Sequence, residues 1–139
     1  MSWDISLFNA PPGVTIEEIP RDYEPSPLGS SAEVLGRLKA TFVDLDLSDP
    51  TWGFLNRQSW SIEFNVGGED PVESIMLHVR GGGDAVQVVQ ETAHLLGCRA
   101  FDCSSGEFIE DGGRDGWADF QQFRDTVIGQ GTVTQDMEG

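Results

Sequence analysis

Apolar and polar residues alternate in two stretches near the middle of the chain, residues 59–66 and 74–80, with Met76 as the one apolar residue at a polar position. A turn with two glycines and a proline, residues 67–71, lies between them. Because side chains in a strand point alternately to the two faces of a sheet, this pattern predicts a β-hairpin with one buried and one polar face. The polar face of the hairpin carries Glu63, Asn65, His78 and Arg80.

Helical spacing of apolar residues predicts three helices. The first, at residues 31–41, follows a capping box that begins at Ser30. The second, at residues 85–96, is followed by Gly97, and glycine readily adopts the left-handed conformation that ends many helices. The third covers about residues 115–128.

Two further strands, at residues 3–7 and 98–102, and a short strand fragment at residues 108–109 complete the predicted elements. A proline-rich connection, residues 9–29, links the first strand to the first helix. The order of elements predicts a single two-layer α+β domain over residues 1–128. Its sheet is expected to be ferredoxin-like, β-α-β-β-α-β, with helices on one face and an added C-terminal helix. Residues 129–139 are expected to form a frayed acidic tail.

The charge of the chain is strongly negative, with 24 acidic and eight basic residues among 139 and a formal net charge of −16. Such a field repels nucleic acid and anionic membranes and speeds encounter with a basic protein. Acidity also helps solubility by itself, which is the alternative explanation. The chain has no apolar run of the roughly 20 residues that span a bilayer, and no secretory signal, so we expect a cytoplasmic protein.

Metal and cofactor sites are not predicted. The two cysteines, Cys98 and Cys103, are expected to be free thiols, because residues five apart in a strand point to opposite faces. Asp44, Asp46 and Asp49 are closely spaced, but they lack the central glycine and closing glutamate of a calcium loop.

The glycines Gly81, Gly82 and Gly83 lie between Arg80 and the predicted helix cap Asp84. Backbone amides at a helix start can bind a phosphate, and an arginine would add positive charge. The alternative is a tight strand-to-helix connection that needs positive φ angles. The absence of a Walker or G-x-G-x-x-G spacing favours the tight connection.

Two groups of titratable residues have the composition of catalytic sites. Glu63, His78 and Arg80 could perform acid–base chemistry, since a carboxylate beside an imidazole tunes its basicity. Asp102 and Glu107 flank a turn and could form a carboxylate pair. Cross-strand charge pairs on a solvated sheet face are the structural alternative for the first group.

Five short motifs occur along the chain in order: MSWDI at the start, SDPTWG from Ser48, SIEFN from Ser61, LHVRGG from Leu77 and SGEF from Ser105. Together they resemble a family of small, uncharacterised bacterial proteins. The resemblance runs from Met1 to about Ile109, and Gly83 and the acidic tail depart from the pattern. It implies a bacterial, cytosolic origin and no activity, cofactor or catalytic residue.

The hypothesis that fits these observations best is an acidic, non-enzymatic protein-binding module that meets a basic partner, in the way an immunity protein neutralises a basic effector. The alternative is a small hydrolase or anionic-ligand-binding enzyme that uses Glu63, His78 and Arg80 beside the glycine turn. An uncovered edge strand would also allow a homodimer. The predicted binding residues are Glu63, Asn65, His78, Arg80, Gly81, Gly82, Asp102 and Glu107.

Overall fold

The computed structural model describes residues 2–109, which contain a six-stranded antiparallel sheet, two α-helices and a short 3-10 helix (Ile16–Glu18) within the connection between residues 9 and 29. This confirms the predicted α+β class. The predicted last helix, at about residues 115–128, and the tail at 129–139 lie outside the described residues. The elements are β1 (Trp3–Phe8), α1 (Ser31–Thr41), β2 (Trp52–Asn56), β3 (Trp60–Asn65), β4 (Ile75–Gly81), α2 (Ala85–Leu96), β5 (Arg99–Asp102) and β6 (Glu107–Ile109).

The strand order, β2-β3-β4-β1-β5-β6, does not match the predicted ferredoxin-like sheet. That prediction is wrong in the number and order of strands. The unpredicted strand β2 occupies one edge of the sheet, and β6, predicted only as a short fragment, occupies the other. The strand β2 escaped detection because apolar residues occur on both of its faces, with Phe54 outward and Leu55 buried. Gly53 also weakens the strand pattern in the sequence. In the structure its position is closely packed, because a Cβ there would lie 2.9 Å from a methyl group of Leu47.

The two helices begin and end where their local signals predict. Ser30 Oγ accepts a hydrogen bond from Glu33 N at 3.1 Å, and Glu33 Oε1 accepts one from Ser30 N at 3.4 Å. Together these bonds form the expected capping box. Gly97 follows α2 with φ +65°, which confirms the predicted left-handed end.

The core lies between one face of the sheet and both helices. Alternate residues of β1, β3 and β4 are buried there, as the period-two pattern predicts. They form one apolar cluster with the buried faces of α1 and α2, so both helices lie on the same side of the sheet. The best buried members are Trp3, Ile5, Leu7, Ile62, Phe64, Leu77 and Val79 of the sheet and Val34, Leu38, Val86 and Val89 of the helices.

The long connection between β1 and α1 is fastened by hydrogen bonds to its own backbone and to the sheet. Asn9 Nδ2 donates to Ser26 O at 2.9 Å, which closes the connection on itself. Arg99 Nη1, from the start of β5, donates to Pro11 O at 2.6 Å and to Val14 O at 2.9 Å. The connection therefore runs along the end of the sheet where β5 begins.

The outer edge of β2 is partly covered. Asp46 and Phe54 exchange two backbone hydrogen bonds, at 2.9 and 3.0 Å. These bonds occupy the outward N–H and C=O groups of the central residue of β2. The loop before β2 thus reduces the length of edge that another strand could join.

Candidate functional site

The sheet face opposite the helices carries the hairpin residues that the sequence singled out. In the register, Glu63 lies opposite His78, and His78 lies opposite Asp4. The four predicted residues of this face therefore come together on neighbouring strands. We call this surface the open face, and its outward residues on β1 to β4 are Asp4, Ser6, Phe8, Trp52, Phe54, Asn56, Ser61, Glu63, Asn65, Met76, His78 and Arg80.

Glu63 is held by two donors on either side of it. Its Oε2 atom accepts a hydrogen bond from Arg80 Nη1 at 2.7 Å, which is also an ion pair. Its Oε1 atom accepts from Trp52 Nε1 at 3.0 Å. Both carboxylate oxygens thus have a partner, and neither of these partners is His78, the residue directly across from Glu63.

His78 is paired with Asp4 rather than with a glutamate. His78 Nδ1 lies 2.9 Å from Asp4 Oδ1, and Ser2 Oγ donates to the same oxygen at 2.7 Å. Because an ionised carboxylate only accepts hydrogen bonds, Nδ1 carries the proton in this arrangement. The alternation of β1 could have placed Asp4 on the polar face, but its pairing with His78 depends on a strand contact between residues 74 positions apart.

Trp52 of β2 belongs to the open face, although the sequence analysis predicted no strand at its position. Its ring stacks on the ring of His78, with centroids 5.7 Å apart and planes inclined by 15°. The side chain is still 40% exposed, and neighbouring Phe54 is 39% exposed. The hydrogen bond to Glu63 and the stack on His78 therefore fix an aromatic ring that faces solvent.

The glycine turn after β4 is packed closely against the chain before β3. Gly81 has φ +98°, and a Cβ there would lie 2.5 Å from Ser59 O. Gly83 has φ +84°, and its Cβ would lie 2.8 Å from Ser59 Oγ. The amide of Gly82 donates to Ser59 O at 2.9 Å, so this amide already has an acceptor. The tight connection accounts for the glycines without a bound phosphate.

Asp102 and Glu107 are opposite each other on β5 and β6, but they differ in environment. Asp102 is only 1% exposed, and its Oδ1 atom accepts hydrogen bonds from Ser104 N at 2.9 Å and from Ser104 Oγ at 2.8 Å. Glu107 is exposed. The structure therefore places the Asp102 carboxylate in the buried layer, where it holds the turn.

The three aspartates before β2 each have a local partner. Asp44 forms a two-point contact with Arg57, at 2.6 and 2.9 Å, and this hydrogen-bonded guanidinium lowers the pKa of Asp44. Asp46 and Asp49 each accept hydrogen bonds from the residue two positions later, which lowers the pKa of both carboxyls. Within residues 2–109, no group of three or more His, Cys, Asp or Glu side chains is placed to hold a metal ion.

Both cysteines are free thiols with raised pKa values. Burial raises the pKa of Cys98 to about 12. Burial also raises the pKa of Cys103, and the nearby charges of Asp4 and Asp102 add to that effect. Since the thiolate is the reactive form, neither cysteine has the environment of an activated nucleophile.

Three open cavities of about 500, 380 and 330 Å³ lie in the described part of the chain. None of the three is lined by Glu63, His78 or Arg80. These residues thus lie on the sheet surface outside the three cavities.

No protein-family model, no curated protein and no solved structure matches the chain. The similarity to the bacterial family described above therefore gains no support from these comparisons. Within residues 2–109, no helix has both the length and the apolar character needed to cross a membrane.

Proposed function

We propose that this protein is an acidic, non-enzymatic binding module that docks a basic protein on its open face. Its concrete role is that of an immunity-type protein, which neutralises a basic effector in the cytoplasm. The observation that carries the proposal is the fixed, solvent-facing ring of Trp52 among the charged pairs of the open face.

Trp52 has the properties of an interface anchor. Tryptophan is enriched among the residues that dominate binding energy, because its large surface is buried when a partner docks. Its side chain is already held by Glu63 and His78 before any partner arrives. Binding therefore loses little side-chain entropy at this position, and this smaller entropy cost favours affinity.

The charged side chains around Trp52 favour a protein partner over a small anion, because Arg80, the basic residue beside Glu63, already forms an ion pair with it. On the open face, Arg80 is paired with Glu63 and His78 with Asp4. The net charge of −16 attracts basic proteins over a longer range than these local pairs. Attraction would come from the whole chain, whereas specific contact would come from the aromatic residues of the open face.

The proposal is tested by capture from a native cytosol with matched variants. Immobilised wild type, Trp52→Ala and Val43→Ala are compared, and retained proteins are identified after washes of rising salt. Val43 is the control, because it is 75% exposed but lies in the loop after α1. We expect one basic protein at stoichiometric amounts on wild type and Val43→Ala, and its loss on Trp52→Ala.

The affinity of the purified captured protein for wild type and for Trp52→Ala is then measured. Removal of an anchor of this kind costs about 2 kcal/mol, so Trp52→Ala should weaken the affinity about 30-fold. The captured protein should also stop growth when it is expressed alone, and this chain should restore growth. Equal capture by Trp52→Ala, or the absence of any basic protein from the wild-type resin, would overturn the proposal.

The enzyme alternative is supported by one contact. Asp4 holds Nδ1 of His78, and a carboxylate that orients an imidazole is a recurring element of acid–base catalysis. Asp4 would then take the role that the sequence analysis gave to Glu63. His78→Ala with Arg80→Ala separates the two proposals, since an enzyme would lose turnover by orders of magnitude with its fold intact. A binding module would show only a change in association.

A further inference from the structure

Two aromatic rings lie side by side on the solvent side of the edge strand β2. Trp52 and Phe54 are two positions apart, so their side chains leave the same face of the sheet roughly 7 Å from each other. Within residues 2–109, the exposed aromatic side chains are these two and Tyr23. Single exposed apolar residues are common in proteins, whereas two neighbouring rings form a patch that a partner can cover.

The contacts of the Trp52 ring leave one side of it for a partner. His78 stacks on one face of the ring, and the Nε1 edge donates to Glu63 Oε1 at 3.0 Å. The exposed part of the ring therefore lies on the side away from His78. Donation of the N–H to a carboxylate raises the electron density of the indole and strengthens the negative potential over its face. The other oxygen of Glu63 is paired with Arg80, so the ring rather than the carboxylate is left to contact a partner.

The chain around the two rings is negatively charged. Trp52 N donates to Asp49 O at 3.1 Å, and Asp46 exchanges two backbone hydrogen bonds with Phe54. Hydrogen bonds from the hydroxyl groups two positions later lower the pKa of the Asp46 and Asp49 carboxyls, so both are ionised at neutral pH. Residues 45–55 contain no basic residue. A cation is therefore favoured over an anion beside these rings.

Arginine is the cation that fits an electron-rich aromatic ring best. Its guanidinium is planar and more weakly hydrated than an ammonium group, so it stacks on a ring at a smaller desolvation cost than lysine does. The same contact occurs twice within this chain. Arg57 Cζ lies 5.5 Å from the ring centroid of Trp60, and Arg99 Cζ lies 3.8 Å from that of Phe108.

We propose that the basic partner places the guanidinium of one arginine on the exposed side of the Trp52 ring, with the aliphatic stem of that arginine along the Phe54 ring. This inference rests on the proposed function and names the residue of the partner that contacts the anchor. Arginine commonly covers apolar surface with its methylene groups while its charged head stays in a polar environment. One extended arginine side chain spans the roughly 7 Å between the two positions on β2.

The first experiment changes the electron density of the Trp52 ring and measures the affinity of the captured partner. Tryptophans with one, two and three ring fluorines are incorporated at position 52 of the full chain. Fluorine withdraws electrons from the ring with little change in shape, and the N–H that donates to Glu63 is kept. We expect the affinity to fall with each fluorine, by about tenfold in all. The same series at Trp60, which is 8% exposed, is the control and should change the affinity by less than about twofold.

The second experiment uses small probes and does not depend on the captured protein. N-acetylarginine amide and N-acetylcitrulline amide, which has the same shape without the charge, are titrated into the isotope-labelled full chain. We expect the arginine derivative to shift the indole N–H signal of Trp52 and to bind about threefold tighter than the citrulline derivative. Phe54→Ala should weaken the binding of the arginine derivative. Val43→Ala, an exposed position in the loop after α1, should leave it unchanged.

The inference is overturned if the fluorinated rings at position 52 bind the captured partner as tightly as wild type, or if the two small probes bind equally. Either result would mean that an uncharged side chain of the partner covers the ring. The proposed function would survive that result as long as Trp52→Ala still loses the partner. The proposed function fails separately if wild type captures no basic protein, and a shift of the Trp52 signal by the arginine derivative would then still support a cation contact at this ring.

Discussion

Asp102 is the buried carboxylate that holds the turn between β5 and β6, and we expect its removal to destabilise the fold by about 3 kcal/mol. Its Oδ1 atom accepts from the amide and hydroxyl of Ser104 at 2.9 and 2.8 Å and from the amide of Ser105 at 3.4 Å. A hydrogen bond to a charged group contributes about 1.5–3 kcal/mol. Ser104 and Ser105 are exposed, so in Asp102→Ala water can replace part of the hydrogen bonding that their donors lose, and the expected cost is well below the sum.

Urea unfolding at neutral pH measures this cost directly, and the melting temperature should fall by about 10 °C for a chain of this size. Glu107→Ala is the matched control, because Glu107 lies opposite Asp102 but is exposed. It should change the free energy of unfolding by no more than about 0.5 kcal/mol. Asp102→Asn keeps the accepting oxygen and should lose about half as much as Asp102→Ala.

The reasoning is refuted if Asp102→Ala is as stable as Glu107→Ala. A stable Asp102→Ala variant that no longer binds the partner would instead support the binding role that the sequence analysis gave to Asp102.

Two other predictions concern glycines and thiols. Gly81→Ala puts a Cβ 2.5 Å from Ser59 O at φ +98° and should cost at least about 3 kcal/mol in urea unfolding. Gly36→Ala, inside α1 with open space around its Cβ, should stabilise by about 0.5–1 kcal/mol, and equal effects would contradict the packing described above. Cys98, whose pKa is about 12, should react with iodoacetamide at pH 8 roughly 1,000-fold slower than an ordinary thiol, and Cys103 should react first by mass spectrometry. The raised pKa of Cys98 also makes stability depend on pH, because the folded protein keeps the thiol proton to a higher pH than the unfolded chain does. The contribution of Cys98 to the free energy of unfolding is therefore fully present below about pH 8.5 and is lost as the pH rises toward 12. Cys98→Ala should lose less stability than wild type over this pH range.

The parts of the fold that local signals specify were predictable from the sequence. The capping box at Ser30 and the glycine at Gly97 set the helix boundaries through bonds and torsions within a few residues. The alternation in β3 and β4 likewise identified their buried faces, because one face packs on the core and the other meets solvent.

Only part of the site could be predicted from the sequence. The contacts of Asp4 depend on how β1 pairs with β4, and those of Trp52 depend on the edge strand β2. Glu63, His78 and Arg80 follow from the hairpin pattern alone. Trp52 belongs to β2, whose apolar residues on both faces hide the period of a strand. Asp4 reaches His78 across a pairing of β1 with β4, and no local pattern specifies which residues of two distant strands face each other.

The distribution of charge on the open face implies that attraction and recognition are carried by different residues. At its centre, Arg80 forms an ion pair with Glu63, and Asp4 Oδ1 accepts a hydrogen bond from Ser2 Oγ and lies 2.9 Å from His78 Nδ1. The excess of negative charge, a formal net charge of −16, belongs to the chain as a whole. Exposed charges act mainly on the association rate, and a buried aromatic anchor acts mainly on the dissociation rate. With the captured partner, Glu69→Gln with Glu73→Gln, which removes two exposed charges, should therefore slow association and flatten its salt dependence, while Trp52→Ala should speed dissociation about 30-fold. Rate constants from surface-immobilised protein at several salt concentrations separate the two effects, and a Trp52→Ala variant altered only in its association rate would show that the ring is not an anchor.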